Sequence, residues 1–306
     1  MDVQKGLMVI LSRNGHMSEV YAFLCTSFSG KQWELTLPPQ GSGQESYFAE
    51  AAGLAFFVKL GVQVERYRAM HDLGLSPRLV TSGSLADGTK LVVQEKIDGR
   101  NPYRKDFHSH LAQFAQAIGK IHCCEKLKAV LPQKSSAHYR DAGLDTLAHI
   151  EQRWVFFKPL VSLSCAVFVD ESLGYLKKQI GQFQGAGLAA YHNDVCNGNW
   201  LVSSDGRVYS IDYESMSLDD PALDVGAILW WYYPPHLRPE FLEIAGYGNE
   251  VGFRERMRIR MAVPCLNIIL PRENSFDYFD AGAFDNSLDD FRAALAGMEN
   301  PQGYAE

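Results

Sequence analysis

YHNDVCNGNWLVSSDGRVYSIDYE, running from Tyr191 to Glu214, decides the reading of this 306-residue chain. Two β-prone runs, Trp200–Ser203 and Val208–Ile211, flank Asp205-Gly206. Asp-Gly between such runs favours a hairpin, because a type I′ turn needs positive φ at both central residues. With those two residues as the turn, counting outward sets Ser204 opposite Arg207, Ser203 opposite Val208 and Asn199 opposite Asp212. Directly opposed residues of an antiparallel pair have Cβ atoms about 5 Å apart. An amide oxygen and a carboxylate at that spacing can share a hard cation such as Mg²⁺, which takes oxygen ligands. Asp194 lies just before Asn199, at the near end of the same structure, where it can orient a hydroxyl. His192, Asp194, Asn199 and Asp212 therefore stand in a spacing that phosphoryl transfer can use.

An Asp-to-Asn step followed by a hairpin and a second Asp is the catalytic-loop arrangement of kinases. The neighbouring residues are not those of a protein kinase: His-Asn-Asp replaces His-Arg-Asp, Ile-Asp-Tyr-Glu stands in place of Asp-Phe-Gly, and no Ala-Pro-Glu follows. The stretch instead resembles the aminoglycoside phosphotransferase and choline kinase superfamily of small-molecule kinases. Its His-x-Asp-x4-Asn pattern is matched by His192, Asp194 and Asn199, and its hydrophobic-Asp element by Ile211-Asp212. Its Asp-Pro-x-x-Asp element is matched by Asp220-Pro221-Ala222-Leu223-Asp224. The first two variants lean toward the choline and ethanolamine kinase side.

The resemblance implies an α+β, bilobal, protein-kinase-like fold. A small N-terminal antiparallel-sheet lobe with one helix, residues 1–98, would bind nucleotide. A larger, mainly helical lobe, residues 99–306, would carry catalysis and substrate. The implied activity is transfer of the γ-phosphate of ATP, or of GTP, to a hydroxyl of a small molecule of aminoglycoside, choline or metabolite type. Asp194 would orient the hydroxyl, with His192 bracing the loop more than carrying a proton, and Asn199 and Asp212 would hold Mg²⁺. Asp220 and Pro221 suit a helix N-cap and first position, which puts Asp224 in the first turn, able to brace the loop. A catalytically silent nucleotide-binding or scaffold protein on the same fold is the alternative.

In the first lobe two placements of the phosphate loop and strand lysine stay open. In one, Pro38–Gln44, with Gly41, Ser42 and Gly43, is the loop and Leu54–Leu60 the third strand, carrying Lys59. Glu65 then opens the amphipathic run Val64–Leu73 and holds the lysine. In the other, Arg13-Asn14-Gly15 is the loop and Trp33–Leu37 the third strand, but Thr36 sits where a cation belongs. Farther on, Asp87-Gly88 signals another hairpin into Thr89–Ile97. The resemblance makes the end of that strand the hinge, with backbone groups of Gln94, Glu95 and Ile97 toward the adenine.

Phe107 to Ile121 recur at helical spacing behind Asp106 as N-cap, one helix ending at His122. Residues 127–185 read as helices with a long loop near Pro132–His138. Trp230-Trp231-Tyr232-Tyr233 can stack on a quaternary ammonium or pack into the core. Asp277, Asp280, Asp285, Asp289 and Asp290 can hold substrate amines or form a solvated face.

A hydrophobic content of 46% and a charged content of 21% describe an ordinary globular protein. A net charge of −7 argues against a nucleic-acid binder, which needs a basic surface, and is compatible with a cationic small substrate. Cysteines at 25, 123, 124, 165, 196 and 265 show no Cys-x2-Cys pair, so they read as reduced thiols of a cytoplasmic protein, Cys196 being a loop filler. Gly6–Leu11 is too short for a secretory or membrane segment.

Overall fold

The computed structural model describes residues 16–38, 45–271 and 279–304. The chain parts into two compact units, residues 1–100 with 201–214 and residues 101–200 with 215–306. The first boundary falls after Arg100, and the hairpin 201–214 belongs to the first unit, whereas the sequence reading gives it to the second.

In the first unit β1 (Glu34–Thr36), β2 (Ser46–Ala51), β3 (Leu54–Leu60), β4 (Leu79–Ser84) and β5 (Lys90–Glu95) form one antiparallel sheet ordered β1-β2-β3-β5-β4. Tyr47, Ala49 and Ala51 of β2 and Phe56, Val58 and Leu60 of β3 are buried at every second position, the period that puts strand side chains on one face. They share a core with Leu91, Val93 and two residues of α1 (Met17–Ser27), Val20 and Leu24. Each fully buried side chain of the larger kind contributes about 1.5–3 kcal/mol. Gly83 on β4 admits α1, since a Cβ there would run into the Phe23 ring.

α2 (Val64–Asp72) is the helix the sequence reading expects, and among the described residues α1 stands beside it in the same unit. Trp33–Leu37 is not the third strand: Glu34–Thr36 is the edge strand β1. Lys59 stands on β3 between buried Val58 and Leu60, so it projects from the opposite face. Gly41, Ser42 and Gly43, like Arg13-Asn14-Gly15, lie outside the described residues.

β6 (Gly99–Arg100), β8 (Trp200–Ser203) and β9 (Val208–Ser210) form a second sheet. Its turn differs from the expected one. Gly206 N–H donates to Ser203 O at 2.9 Å and Ser203 N–H to Arg207 O at 2.9 Å, while positive φ falls on Gly206 (80°) and not on Asp205. This is a three-residue loop closed by a left-handed glycine rather than a type I′ turn. The Asp205 carboxylate accepts from the Ser203 hydroxyl and from Arg207 N–H, bonds that brace the turn. Ser203 therefore faces Arg207, not Val208, and the count that opposed Asn199 to Asp212 is out by one.

The second unit holds α3 (Arg104–Ser109), α4 (Leu111–His122), α5 (Glu125–Val130), α6 (Tyr139–Phe157), α7 (Leu163–Ile180), β7 (Ala189–Tyr191), β10 (Ser217–Asp219), α8 (Ala222–Tyr232), α9 (Arg238–Ile244), α10 (Phe253–Ile269) and α11 (Ala281–Leu295). The expected single helix ending at His122 is two. His110, whose N–H and Nδ1 both turn to Asp106 O, breaks it, and Asp106 is not the N-cap but the N3 residue, its carboxylate accepting from the N-cap N–H of Tyr103. β7 pairs antiparallel with β10, Tyr191 facing Ser217. A buried ionic cluster ties α10 to that corner: Arg260 meets Asp219 at 2.7 Å and Arg256 meets Asp220 at 3.0 Å. Among the described residues no helix is long and apolar enough to cross a membrane.

Candidate active site

The loop after β7 is held from several directions. The Asp224 carboxylate, in the first turn of α8, accepts His192 N–H at 2.6 Å and Asn193 N–H at 3.0 Å. His122 Nε2 lies 3.3 Å from the same carboxylate, and its Nδ1 is 2.7 Å from the Tyr247 hydroxyl. Ser215 Oγ donates to His192 O at 3.0 Å, and Asn193 Nδ2 to Ser215 O at 3.2 Å. Asn101 Nδ2 donates to Gly198 O at 3.1 Å and Trp200 O at 2.8 Å. Asn197 N–H donates to the Tyr232 hydroxyl at 2.7 Å. Asn193 sits in the left-handed region at φ 65°, which Asn tolerates better than most residues. The kink delivers Asp194 half-buried onto the wall of a cleft of about 330 Å³.

His192 is fully buried, its ring roughly parallel to Trp200 at 6.2 Å between centroids. It has no surface to offer a substrate and acts as a brace. Asn199 Nδ2 donates to Asp194 O at 3.0 Å, which fixes the amide so that its oxygen points away from that bond. The Cys196 thiol is pushed up to about 11 by burial and by the adjacent Asp194 carboxylate, so it is not a thiolate near neutrality and has little reactivity.

In the first unit Lys59 Nζ meets Asp212 Oδ1 at 2.9 Å and Glu214 Oε2 at 2.7 Å. The Tyr67 hydroxyl donates to Glu214 Oε1 at 2.8 Å, and Arg66 Nη1 donates to the carbonyls of Tyr213 and Glu214 at 2.9 and 2.8 Å. Burial raises the Glu214 carboxyl, the neighbouring Asp212 adding to the shift and Lys59 opposing it. Asp212 takes φ 63°, a conformation uncommon outside Gly, Asn and Asp and frequent at functional sites. The partner expected for Lys59 was Glu65. Glu65 instead lies exposed and pairs with Arg68 at 2.7 Å, one helical turn on. Glu214, three residues past Ile211, has taken that place, and Tyr67 and Arg66 of α2 hold it there.

A model of the phosphotransferase enzyme family matches residues 13–260 of the chain. The chain belongs to that family. Its fold is similar to that of a choline/ethanolamine kinase family protein from Mesorhizobium loti, at 18% identity over 93% of this chain and 95% of the other, TM-score 0.66. It is similar also to choline kinase LicA from Streptococcus pneumoniae, at 18% identity, 92% and 99% coverage and TM-score 0.64. Aminoglycoside 2'-phosphotransferase-IIIa matches at 14% identity, 90% and 97% coverage and TM-score 0.62. The fold is kinase-like, and the family is one of phosphotransferases.

Three other expectations for this phosphotransferase change. Gln94 and Glu95 do not offer free backbone to an adenine, because β5 is an inner strand. Gln94 pairs with Phe57 and Leu79, and Glu95 N–H donates to Arg78 O at 2.9 Å. Lys96 N–H goes to Ala55 O, which leaves Ile97 as the first position past the ladder. Of the four aromatics, Trp230, Tyr232 and Tyr233 are buried and Trp231 alone lines the cleft. The acidic run is engaged elsewhere: Asp285 and Asp289 pair with Arg292, Asp290 accepts from Gln302, and Asp280 accepts from Gly282 N–H. Asp277 lies outside the described residues. His122, Tyr232 and Asn101 carry no motif, and only three-dimensional proximity identifies them as loop anchors.

Proposed function

We propose that the chain transfers the γ-phosphoryl group of a nucleoside triphosphate, ATP or GTP, to a hydroxyl of a small molecule in the cytoplasm. The carrying observation is Asp194, a carboxylate presented to the cleft by a loop whose amides Asp224 clamps. Asp194 accepts a hydrogen bond from the acceptor hydroxyl and aims its oxygen at phosphorus. As the new O–P bond forms and the bond to the leaving diphosphate breaks, the carboxylate takes the hydroxyl proton. The transition state is loose, so positioning outweighs basicity. Lys59 balances phosphate charge, and Glu214 and Tyr67 keep its stem in place. Nucleotide use is supported by the aminoglycoside 2'-phosphotransferase-IIIa structure, which holds GDP.

Asp212 and Asn199 each offer an oxygen of the kind a magnesium ion takes. Among the described residues no group of three or more His, Cys, Asp or Glu side chains is placed as a metal cage. Mg²⁺ at nucleotide sites typically uses one or two side chains, waters and phosphates. Asp212 offers a carboxylate that is half exposed, and Asn199 an amide oxygen whose orientation is fixed by its own N–H bond. An ion taken by the Asp212 carboxylate or by the Asn199 amide oxygen would neutralise charge on the phosphate oxygens. Asp212→Ala is expected to abolish Mg²⁺-dependent nucleotide binding measured by calorimetry. Unchanged binding in that variant would remove Asp212 from this role.

A further inference from the structure

The cleft beside Asp194 is walled by two helical stripes. Leu223, Ala227 and Trp231 recur every fourth residue on α8, and Pro264 and Ile268 stand one turn apart on α10, spacings that place side chains on one helix face. Its volume of about 330 Å³ is at the small end for ligand clefts.

The polar groups on these walls are largely taken. Thr146 donates within 3.2 Å of Asp219 Oδ2, Asn193 Nδ2 is on Ser215 O, and the Asn267 side chain is bonded to Arg153. Of the two carboxylates among the described lining residues, Asp224 is occupied by the His192 and Asn193 amides and by His122. Asp194 remains.

We infer that the acceptor is an alcohol carried on a largely apolar body with no more than one positive charge, an inference resting on the phosphotransferase reading of Asp194. A polycation would bring several ammonium groups to a cleft whose described lining residues leave one carboxylate available, and unpaired charges are costly to desolvate. A polyol would lose water from hydroxyls that find few free partners. An apolar body gains from burial against Leu223, Ala227 and Ile268. Trp231 lines the cleft, and an indole can stack on an aryl group or a single ammonium.

The test is calorimetric titration of the full chain with 2-phenylethanol, choline, kanamycin and glucose, with nucleotide diphosphate formation followed on the same samples. The expected result is that 2-phenylethanol or choline binds at least ten-fold tighter than kanamycin and glucose. Trp231→Ala should weaken that binding ten-fold or more while nucleotide affinity stays put. Ile268→Asp, at a cleft residue 70% exposed and so tolerant of the change, should move the preference toward kanamycin. Tighter binding of kanamycin or glucose to the unaltered protein overturns the inference, as does an absence of binding by both apolar-bodied alcohols. Binding of those alcohols without diphosphate formation sustains the acceptor class and contradicts the transfer reading instead.

Discussion

Replacing Asp224 isolates how much the clamp on the catalytic loop contributes. The carboxylate is 2% exposed and accepts two backbone N–H groups, His192 at 2.6 Å and Asn193 at 3.0 Å. Asp224→Ala leaves both amides without their acceptor. A buried polar group left unsatisfied costs about 1–3 kcal/mol. The amide of fully buried His192 belongs near the top of that range and that of exposed Asn193 near the bottom, about 3–4 kcal/mol together. That is a large part of the ~5–15 kcal/mol by which domains are stable. Asp224→Asn keeps one acceptor oxygen and sets an NH₂ against the other amide, so it should lose roughly half as much. Turnover should fall further than stability suggests, since a displacement of about 1 Å in a positioned group is worth ~100-fold in rate. Urea unfolding gives the stability, phosphate transfer the rate, and hydrogen exchange at His192 and Asn193 shows whether those amides open. An Asp224→Ala protein within ~0.5 kcal/mol of the parent, the range of an ordinary surface change, and with undiminished turnover would refute the clamp.

The His16 imidazole is raised above its usual 6.5 chiefly by its hydrogen bond to Glu45, with Asp87 adding to the effect. Its contribution to stability is therefore present below pH 6.5 and lost as pH rises through the folded value. The Tm gap between the parent and His16→Gln should be widest below 6.5 and close as pH rises above it, and a gap independent of pH would count against the His16–Glu45 pairing. Glu214 is raised by burial from 4.5, so its contribution is greatest at low pH and falls as pH climbs through the folded value. The Tm of Glu214→Gln minus that of the parent should rise with pH from 4.5 upward, while the variant's KM for nucleotide increases about ten-fold, roughly 1.4 kcal/mol, from loss of the Lys59 partner. Flat Tm differences and an unchanged KM would contradict the role given to Glu214. Gly83→Val should destabilise by about 1–3 kcal/mol through overpacking against Phe23, and Phe23→Ala in the same chain should recover part of it by thermal unfolding.

Period and order along the chain made much of the fold legible. LAFFVKL, Leu54–Leu60, announces a half-buried strand, and its alternation alone sends Lys59 away from the core. The hairpin was legible as a hairpin but not in register. Asp-Gly is compatible with either a two-residue or a three-residue loop, and the Ser203–Asp205–Arg207 side-chain bonds decide between them. The lysine's partner was misplaced for a different reason. Glu65 is close to Lys59 in sequence, but Glu214 lies 155 residues away and is brought in by Tyr67 and Arg66. Local patterns carry no information on a pairing of that separation. The same holds for Asp224 and His122, 102 residues apart and in contact. Gln94 and Glu95 lost their assigned role because strand order makes β5 an inner strand, and hydropathy does not reveal order.

The account stands on Asp194 as the group that orients the acceptor hydroxyl. Asp194→Ala, assayed for phosphate transfer and for nucleotide affinity on one preparation, tests it most directly. The expected result is a loss of transfer of about 100-fold or more, the range for a positioned acid–base group, with nucleotide affinity nearly unchanged. An Asp194→Ala protein that transfers phosphate at the parent rate would contradict it.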